Sequence, residues 1–436
     1  MLKLIAVAAC TFGLLVAASA SAAEHVLHIS VDGLRPDLLQ TLIDGGQAPN
    51  FKRFQTEGAW TTNARTDYTH TITLPNHTSM VTGRPVSQPT GMANTVHHGW
   101  TLNTDPAPTA TLHNSGNIKA PYKASTWDVA HDAGLKTALY ASKSKFIIYE
   151  QSYNAASGAA HANGKDKIDV TRIDESSTVM QNLLLADLVA NRPNYSFIHY
   201  ADADDAGHST GWGTTAWNNA VKKIDGFLGQ LFTLVQTDEV LAGRTAIVLS
   251  ADHGGNGTGH GTATQATNYT IPFFAWGVGV APGDIYAMNS AVRTNPGTSR
   301  PNYNAAAQPI RNGDGGNLAL SLLGLGPIPG SLINASQNLR VAMPADFNGD
   351  STVDGDDLAA WKSGCGTTGN ARREQGDADD DRDVDGSDFL IWQRAYVAAA
   401  ATTAVPEPAS WSLCAIPLVT AFAAMAGRGR RHLKRA

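Results

Sequence analysis

The sequence predicts an α/β fold: a mostly parallel β-sheet flanked by helices, with a small α-helical domain after it. Three observations carry this expectation. The β-rich apolar runs Val26–Val31, Ser196–Tyr200 and Ala246–Ser250 are continuous rather than alternating, as expected of strands covered on both faces of a parallel sheet. Helix-like stretches separate them, and residues 216–235 set Trp217, Val221, Ile224, Leu228 and Leu231 at helical spacing. The 42 glycines fit a loop-rich α/β chain better than a helical bundle. A chain of 436 residues has length for two or three domains and a sizeable core. With 42% hydrophobic and 16% charged residues it is not a wholly disordered chain.

The chain starts with Met1-Leu2-Lys3, an apolar run from Leu4 to Val16, and the small-residue cleavage sites Ala18-Ser-Ala20 and Ala20-Ser-Ala22. This pattern predicts a secretory signal peptide over residues 1–22, and with it export to the periplasm, cell surface or extracellular space. Cys10 and Cys414 lie in the apolar ends, which leaves Cys365 as the single thiol of the mature body and no intrachain disulfide. The net charge of -6 is uneven: residues 341–400 hold 13 acids and 5 bases, and the last 32 residues hold five bases and one acid. The rest is near neutral, so no nucleic-acid groove is expected.

The three apolar runs share an ending. Asp32 follows the first, Asp204 and His208 follow the second, and Asp252 and His253 follow the third, with His260 shortly after. Ligands of parallel sheets sit at the carboxyl ends of strands. His208 follows Asp204 by four residues, so one helical turn points both at one ion. Asp252 and His253 are neighbours, whose side chains diverge in extended chain, so they serve one ion only at an irregular strand end, or else reach toward two. Oxygen and nitrogen ligands without sulfur suit catalytic zinc or manganese better than structural zinc. A hydroxyl nucleophile is the missing piece, and Tyr68-Thr-His-Thr71-Ile-Thr73-Leu-Pro-Asn-His77 supplies several candidates, Thr71 and Thr73 among them.

These motifs taken together resemble the alkaline phosphatase superfamily: Ile29-Ser-Val-Asp32-Gly-Leu-Arg-Pro-Asp, Thr73-Leu-Pro-Asn-His with Val81-Thr-Gly, Asp204-Asp-Ala-Gly-His208 and Ala251-Asp252-His253-Gly. Within it they are most similar to the nucleotide pyrophosphatase/phosphodiesterase branch, over roughly residues 25–335. The resemblance implies an alkaline phosphatase-like catalytic domain, residues 23–340, that cleaves small phosphorylated substrates through a phosphothreonine at Thr73. It implies two zinc ions, or manganese: one held by Asp32, Asp252, His253 and the Thr73 oxygen, the other by Asp204, His208 and a further histidine. In the phosphodiesterase branch that histidine lies far downstream; here His260 takes the role, in a setting similar to cofactor-independent phosphoglycerate mutases. Asn94 stands near the asparagine that bonds a phosphoryl oxygen. A phosphomonoesterase or phosphonate hydrolase of the same superfamily is the alternative, and an inactive surface scaffold or adhesion protein is the rival of another class. Sulfatases of this fold use a modified cysteine or serine in a C/S-x-P-x-R setting, which is absent near Thr73.

Weaker signals follow in chain order. Lys143 and Lys145 come just after an expected strand, and each is either a contact for an anionic substrate or a solvated lysine. Trp100 is either a pocket wall or a packed aromatic. Arg311 precedes the helical stretch Asn317–Leu323 and offers a phosphate clamp.

A repeat of period 31 then sets oxygen side chains at loop positions 1, 3, 5, 9 and 12. The first copy has Asp346, Asn348, Asp350, Thr352, Asp354 and Asp357; the second has Asp377, Asp379, Asp381, Asp383, Asp385 and Asp388. Such spacing wraps a turn of chain around one calcium ion. Position 6 is Ser351 or Arg382 instead of glycine, and position 12 is aspartate instead of glutamate. Val353 and Val384, at position 8, are placed to pair the loops. Residues 344–397 resemble a type I dockerin, which implies a calcium-stapled spacer or adhesion module with a cohesin-like or other surface partner. Finally, Val405-Pro-Glu-Pro, an apolar stretch over residues 409–426 and five basic residues resemble a PEP-CTERM sorting signal over 405–436. This implies membrane association through a C-terminal helix, transient or stable.

Overall fold

The computed structural model describes residues 22–401 except 344, 349–351, 370, 380 and 381, and gives only the backbone of 397–401. The predicted signal peptide, save its last residue, and the 405–436 tail lie outside the described residues, as do Asp350 and Asp381.

Eight strands form one sheet: β1 (His25–Val31), β2 (Ala59–Arg65), β3 (Thr137–Ala141), β4 (Val170–Ile173), β5 (Tyr195–Tyr200), β6 (Thr245–Ser250), β7 (Thr270–Gly277) and β8 (Gly283–Asp284). Their order is β4-β3-β5-β1-β6-β7-β2-β8. The first five in that order run parallel. Strand β7 is antiparallel to both of its neighbours. The fold is thus the expected mostly parallel, helix-flanked α/β architecture.

The three apolar runs legible in the sequence are β5, β1 and β6, which lie side by side in the middle of the sheet. Every residue in them is buried, which is why they read as continuous and not alternating. Val31 pairs with Tyr200 and Ser30 with Ser250, so the three strands end level with one another. Pro272 sits inside β7 and has no N–H for the ladder. The β2 register shifts between Thr61 and Ala64, directly opposite it, and this bulge accommodates the missing donor.

Helices cover both faces. The long helix spans Thr215–Thr237, capped by the Thr214 hydroxyl, which accepts a hydrogen bond from Trp217 N. Trp217, Val221, Ile224, Leu228 and Leu231 are all fully buried. Its Asp225 carboxylate accepts bonds from the backbone N–H groups of Asn50 and Phe51, satisfying the first turn of the helix Pro49–Glu57. The helix Asp314–Leu322 lies on β1 and β6. A Cβ at Gly315 would come within 2.7 Å of the His28 ring, so only glycine permits this approach.

After the sheet domain come the helices Gly355–Gly364 and Gly386–Ala401, with their own core of Phe347, Val353, Ala378 and Trp392. The two repeats brace each other reciprocally. Trp361 donates its indole N–H to the Asp385 carbonyl (2.9 Å), and Trp392 donates to the Asp354 carbonyl (2.8 Å). These four residues are one repeat period apart in pairs. The position-12 aspartates close the loop backbone. Asp357 accepts from the N–H groups of Phe347, Asn348 and Asp354, and Asp388 accepts from those of Ala378, Asp379 and Asp385. The backbone of Val384 bonds to Gly366 and Thr367.

Burial holds His28 and His98 neutral, each lowered to about 3. Both must take up a proton when the chain unfolds in acid, so their contribution is complete above the unfolded value near 6.5 and is lost as pH falls toward 3. Urea denaturation at stepped pH is expected to show stability falling across that window, by on the order of a few kcal/mol in all. His28→Phe, which keeps the Phe197 contact without a titrating ring, should flatten the slope.

Candidate metal centre

The level ends of β1, β5 and β6 deliver the acidic groups to one place. Asp32 is the first residue after β1, and its N–H still bonds the Tyr200 carbonyl across the sheet. Asp204 lies in the first turn of the helix Asp202–Thr210, with His208 one turn later. Asp252 and His253 follow β6 in irregular chain, so their side chains converge instead of diverging: His253 Nε2 is 3.2 Å from Asp252 Oδ2. The same nitrogen is 3.3 Å from Asp32 Oδ1 and 4.0 Å from Asp204 Oδ1. His260 Nε2 is 3.7 Å and His208 Nε2 3.4 Å from Asp204 Oδ1. The rings of His253 and His260 stack with centroids 3.5 Å apart.

The imidazole tautomers follow from their partners. His253 Nδ1 faces the Gly254 carbonyl at 2.8 Å, His260 Nδ1 the Thr71 carbonyl at 2.6 Å and His208 Nδ1 the Thr258 carbonyl at 2.9 Å. A carbonyl can only accept, so each Nδ1 carries a proton, and each ring turns Nε2 toward the acids. His208 and His260 bring these nitrogens within 3.1 Å of each other.

Electrostatics point the same way. Asp32 Oδ1, Asp204 Oδ1, Asp252 Oδ2 and His253 Nε2 are buried without a hydrogen-bond partner. Such orphaned atoms are rare in folded proteins and are typical of an ion site. Burial and the neighbouring carboxylates of Asp32 and Asp204 push Asp252 well above the usual range. Burial acts on Asp32 in the same sense, but Lys143 beside it and the His199 hydrogen bond hold it well below. Burial and the His260 ring lower His253 to about 3. Two sets of three ligand atoms lie within 4.8 Å of one another, Asp32/Asp252/His253 and Asp204/His253/His260. An all oxygen–nitrogen set of this kind fits a pair of divalent cations such as zinc or manganese.

Thr73 is buried at the start of the helix Thr73–Thr82, whose ten residues are all buried. His77, one turn on, bonds the Thr73 carbonyl (2.8 Å) and stands 3.6 Å from Asp252. Two residues before Thr73, the Thr71 hydroxyl donates to the His260 carbonyl, so this hydroxyl is already committed. The threonine segment is therefore strapped to His260 on one side and to Asp252 on the other.

Asn94 is exposed, and its described bond is the one its backbone carbonyl accepts from Asn117. Asn103 instead meets the threonine helix: its Oδ1 accepts the Leu74 N–H at 3.0 Å, and Lys145 Nζ lies 3.3 Å from that oxygen. Lys143, at the end of β3, inserts among the acids, 2.8 Å from Asp32 Oδ2 and 2.6 Å from Asp204 Oδ2. These carboxylates hold its ammonium far above the ordinary lysine value despite burial. His199, visible in the sequence as an imidazole within an apolar strand, stands with Nε2 3.1 Å from Asp32 Oδ2. Trp100 is buried, and Arg311 is tied to the Thr66 and Pro301 carbonyls.

In the C-terminal repeats, Asp377/Asp379/Asp388 and Asp383/Asp385/Asp388 form acidic groups of the same compactness.

Comparison with known proteins adds three findings. The family described as type I phosphodiesterase / nucleotide pyrophosphatase matches residues 26–297. No curated protein matches the chain. Among solved structures, murine ectonucleotide pyrophosphatase / phosphodiesterase 5 aligns at 21% identity over 53% of this chain and 57% of its own, with a TM-score of 0.38. Wild-type alkaline phosphatase PafA aligns at 13% identity over 73% of this chain and 99% of its own, with a TM-score of 0.52, a likeness of fold. The chain spans little more than half the length of the ectonucleotide enzyme it matches.

Chelator-treated protein is expected to take up two equivalents of zinc in equilibrium dialysis read by mass spectrometry, and His260→Ala about one. Two tightly held ions in that variant would remove His260 from the centre.

Proposed function

The chain belongs to the type I phosphodiesterase / nucleotide pyrophosphatase family, and from that footing we propose an exported, metal-dependent phosphoric ester hydrolase that works through a phosphothreonine at Thr73. Its substrates are small phosphodiesters or nucleotide pyrophosphates. The observation that carries this reading is the convergence of four orphaned buried ligand atoms beside the helix that Thr73 opens.

Asp32, Asp252, His253 and the Thr73 oxygen would hold one zinc ion, and Asp204, His208 and His260 the other. Bound there, the ions would supply Lewis acidity to a hydroxyl that is a poor nucleophile near neutral pH. Thr73 gives up its hydroxyl proton to solvent and attacks phosphorus in line; the bond from phosphorus to the ester oxygen breaks as the new one forms, and the departing oxygen takes a proton from water. Water then cleaves the phosphothreonine and frees the hydroxyl. Thr73 stands at the positive end of a buried helix dipole, which favours negative charge on the incoming phosphoryl group. Asn103 takes the role first given to Asn94: its amide N–H group is available to a phosphoryl oxygen while its Oδ1 is held by Leu74 N.

The domain limits belong to the same reading: signal peptide 1–22, catalytic domain 23–340, paired calcium loops 344–397 and sorting tail 405–436. Calcium in the loops would draw on Asp383, Asp385 and Asp388, which already cluster. No helix of the described residues is long and apolar enough to cross a membrane, and the tail lies outside them.

Zinc-loaded protein is expected to turn over bis-p-nitrophenyl phosphate faster than p-nitrophenyl phosphate, and neither after chelation. Predominant monoester turnover would replace the diester reading by a phosphomonoesterase, and no turnover of either by a scaffold. Thr73→Ala should lower kcat by roughly 10³-fold or more while metal content stays intact.

Asn103→Ala should lower kcat/KM by roughly 10²-fold, the cost typical of a lost donor to a developing oxyanion, and Asn94→Ala by little. The reverse ranking would return the role to Asn94.

A further inference from the structure

Resting on the two-ion reading, we propose that Lys143 is an internal counter-ion that holds the metal centre in its ligand geometry before any ion arrives. Its ammonium meets three carboxylates, Asp32 Oδ2 at 2.8 Å, Asp204 Oδ2 at 2.6 Å and Asp205 Oδ1 at 3.5 Å. An ammonium has three donors and no acceptor; two of them make the short hydrogen bonds to Asp32 and Asp204, and Asp205 is a longer ion-pair contact.

The division of oxygens gives the contact its meaning. Asp32 and Asp204 belong to different ligand sets. Each gives Oδ2 to Lys143 and leaves Oδ1 orphaned, facing the imidazoles. Lys143 thus binds the outer edge of both carboxylates and leaves the inner edge free for ions. Asp32 Oδ2 keeps His199 as a second partner, whereas Lys143 is the partner described for Asp204 Oδ2. The lysine comes from β3, a strand that contributes none of the acids, and its side chain is 15% exposed.

Charge explains why such a group is needed. Asp32, Asp204 and Asp252 are all buried together. Two divalent ions compensate them once bound. In the metal-free chain the compensation falls to Lys143, and removing one partner from a buried ion pair leaves an uncompensated charge. Loss of the lysine should therefore weaken the metal-free fold far more than the loaded one. A residue needed only for packing would weaken both alike.

The test is thermal unfolding of chelated and zinc-loaded protein, full chain, for wild type, Lys143→Met and Lys143→Arg. In Lys143→Met the chelated protein is expected to melt roughly 5–15 °C below wild type. The loaded protein should move by only a small part of that, so the zinc-induced rise in Tm grows. Lys143→Arg, which keeps the charge, should recover part of the loss. Should Lys143→Met be unfolded without zinc, addition of zinc should fold it, read by circular dichroism. Equal losses in both states, no loss in the chelated state, or failure of zinc to fold the variant would each overturn the proposal. A wild type whose Tm does not respond to zinc would instead overturn the two-ion reading beneath it.

Discussion

Three carboxylates buried side by side are the constraint to which the rest of the structure answers. Asp32, Asp204 and Asp252 are each almost wholly removed from water, and burial opposes ionisation of every one of them. A chain of ordinary stability does not tolerate that arrangement without compensation. The surroundings supply some of it. Gly33 and His253 donate backbone N–H groups to Asp252, His199 faces Asp32, and one lysine reaches two of the acids. The remaining orphaned oxygens define where positive charge is still required.

The sheet makes this concentration possible. Adjacent parallel strands that end level place their next residues together without any distortion of the ladder, and β5, β1 and β6 do so. The histidines come from shorter routes. His208 is one helical turn from Asp204, and the glycine-rich loop 254–259 returns the chain so that His260 stacks on His253. Asn256 and Gly259 pair across that loop, and Thr258 fixes the His208 ring. One small turn therefore orients two imidazoles.

What the sequence makes legible follows the range of the interactions. The central strands and their terminal acids can be read because an apolar run followed by an acid is a local pattern. The long helix can be read because its buried positions keep a 3.6-residue period. Asn103 cannot, because its contact with the threonine helix spans 29 residues of chain and no local pattern marks it. Lys143 shows its chemical type but not its partners, which lie 111 and 61 residues away. Asp225 looks like a polar interruption of a helix face, and only the packed helix Pro49–Glu57 explains it. The 31-residue period marks the acidic loops, yet the use of position 12 to close the backbone emerges only in three dimensions.

The crossed indole bonds of the C-terminal repeats have a bearing on how such a segment is inherited. Each repeat lends its tryptophan to the carbonyl at position 9 of the other. Cutting the segment between its halves would strand one donor and one acceptor in each piece and split the small core they share. The duplicated pair, and not the single loop, is therefore the smallest fragment that recombination can transplant from one gene to another with its fold intact.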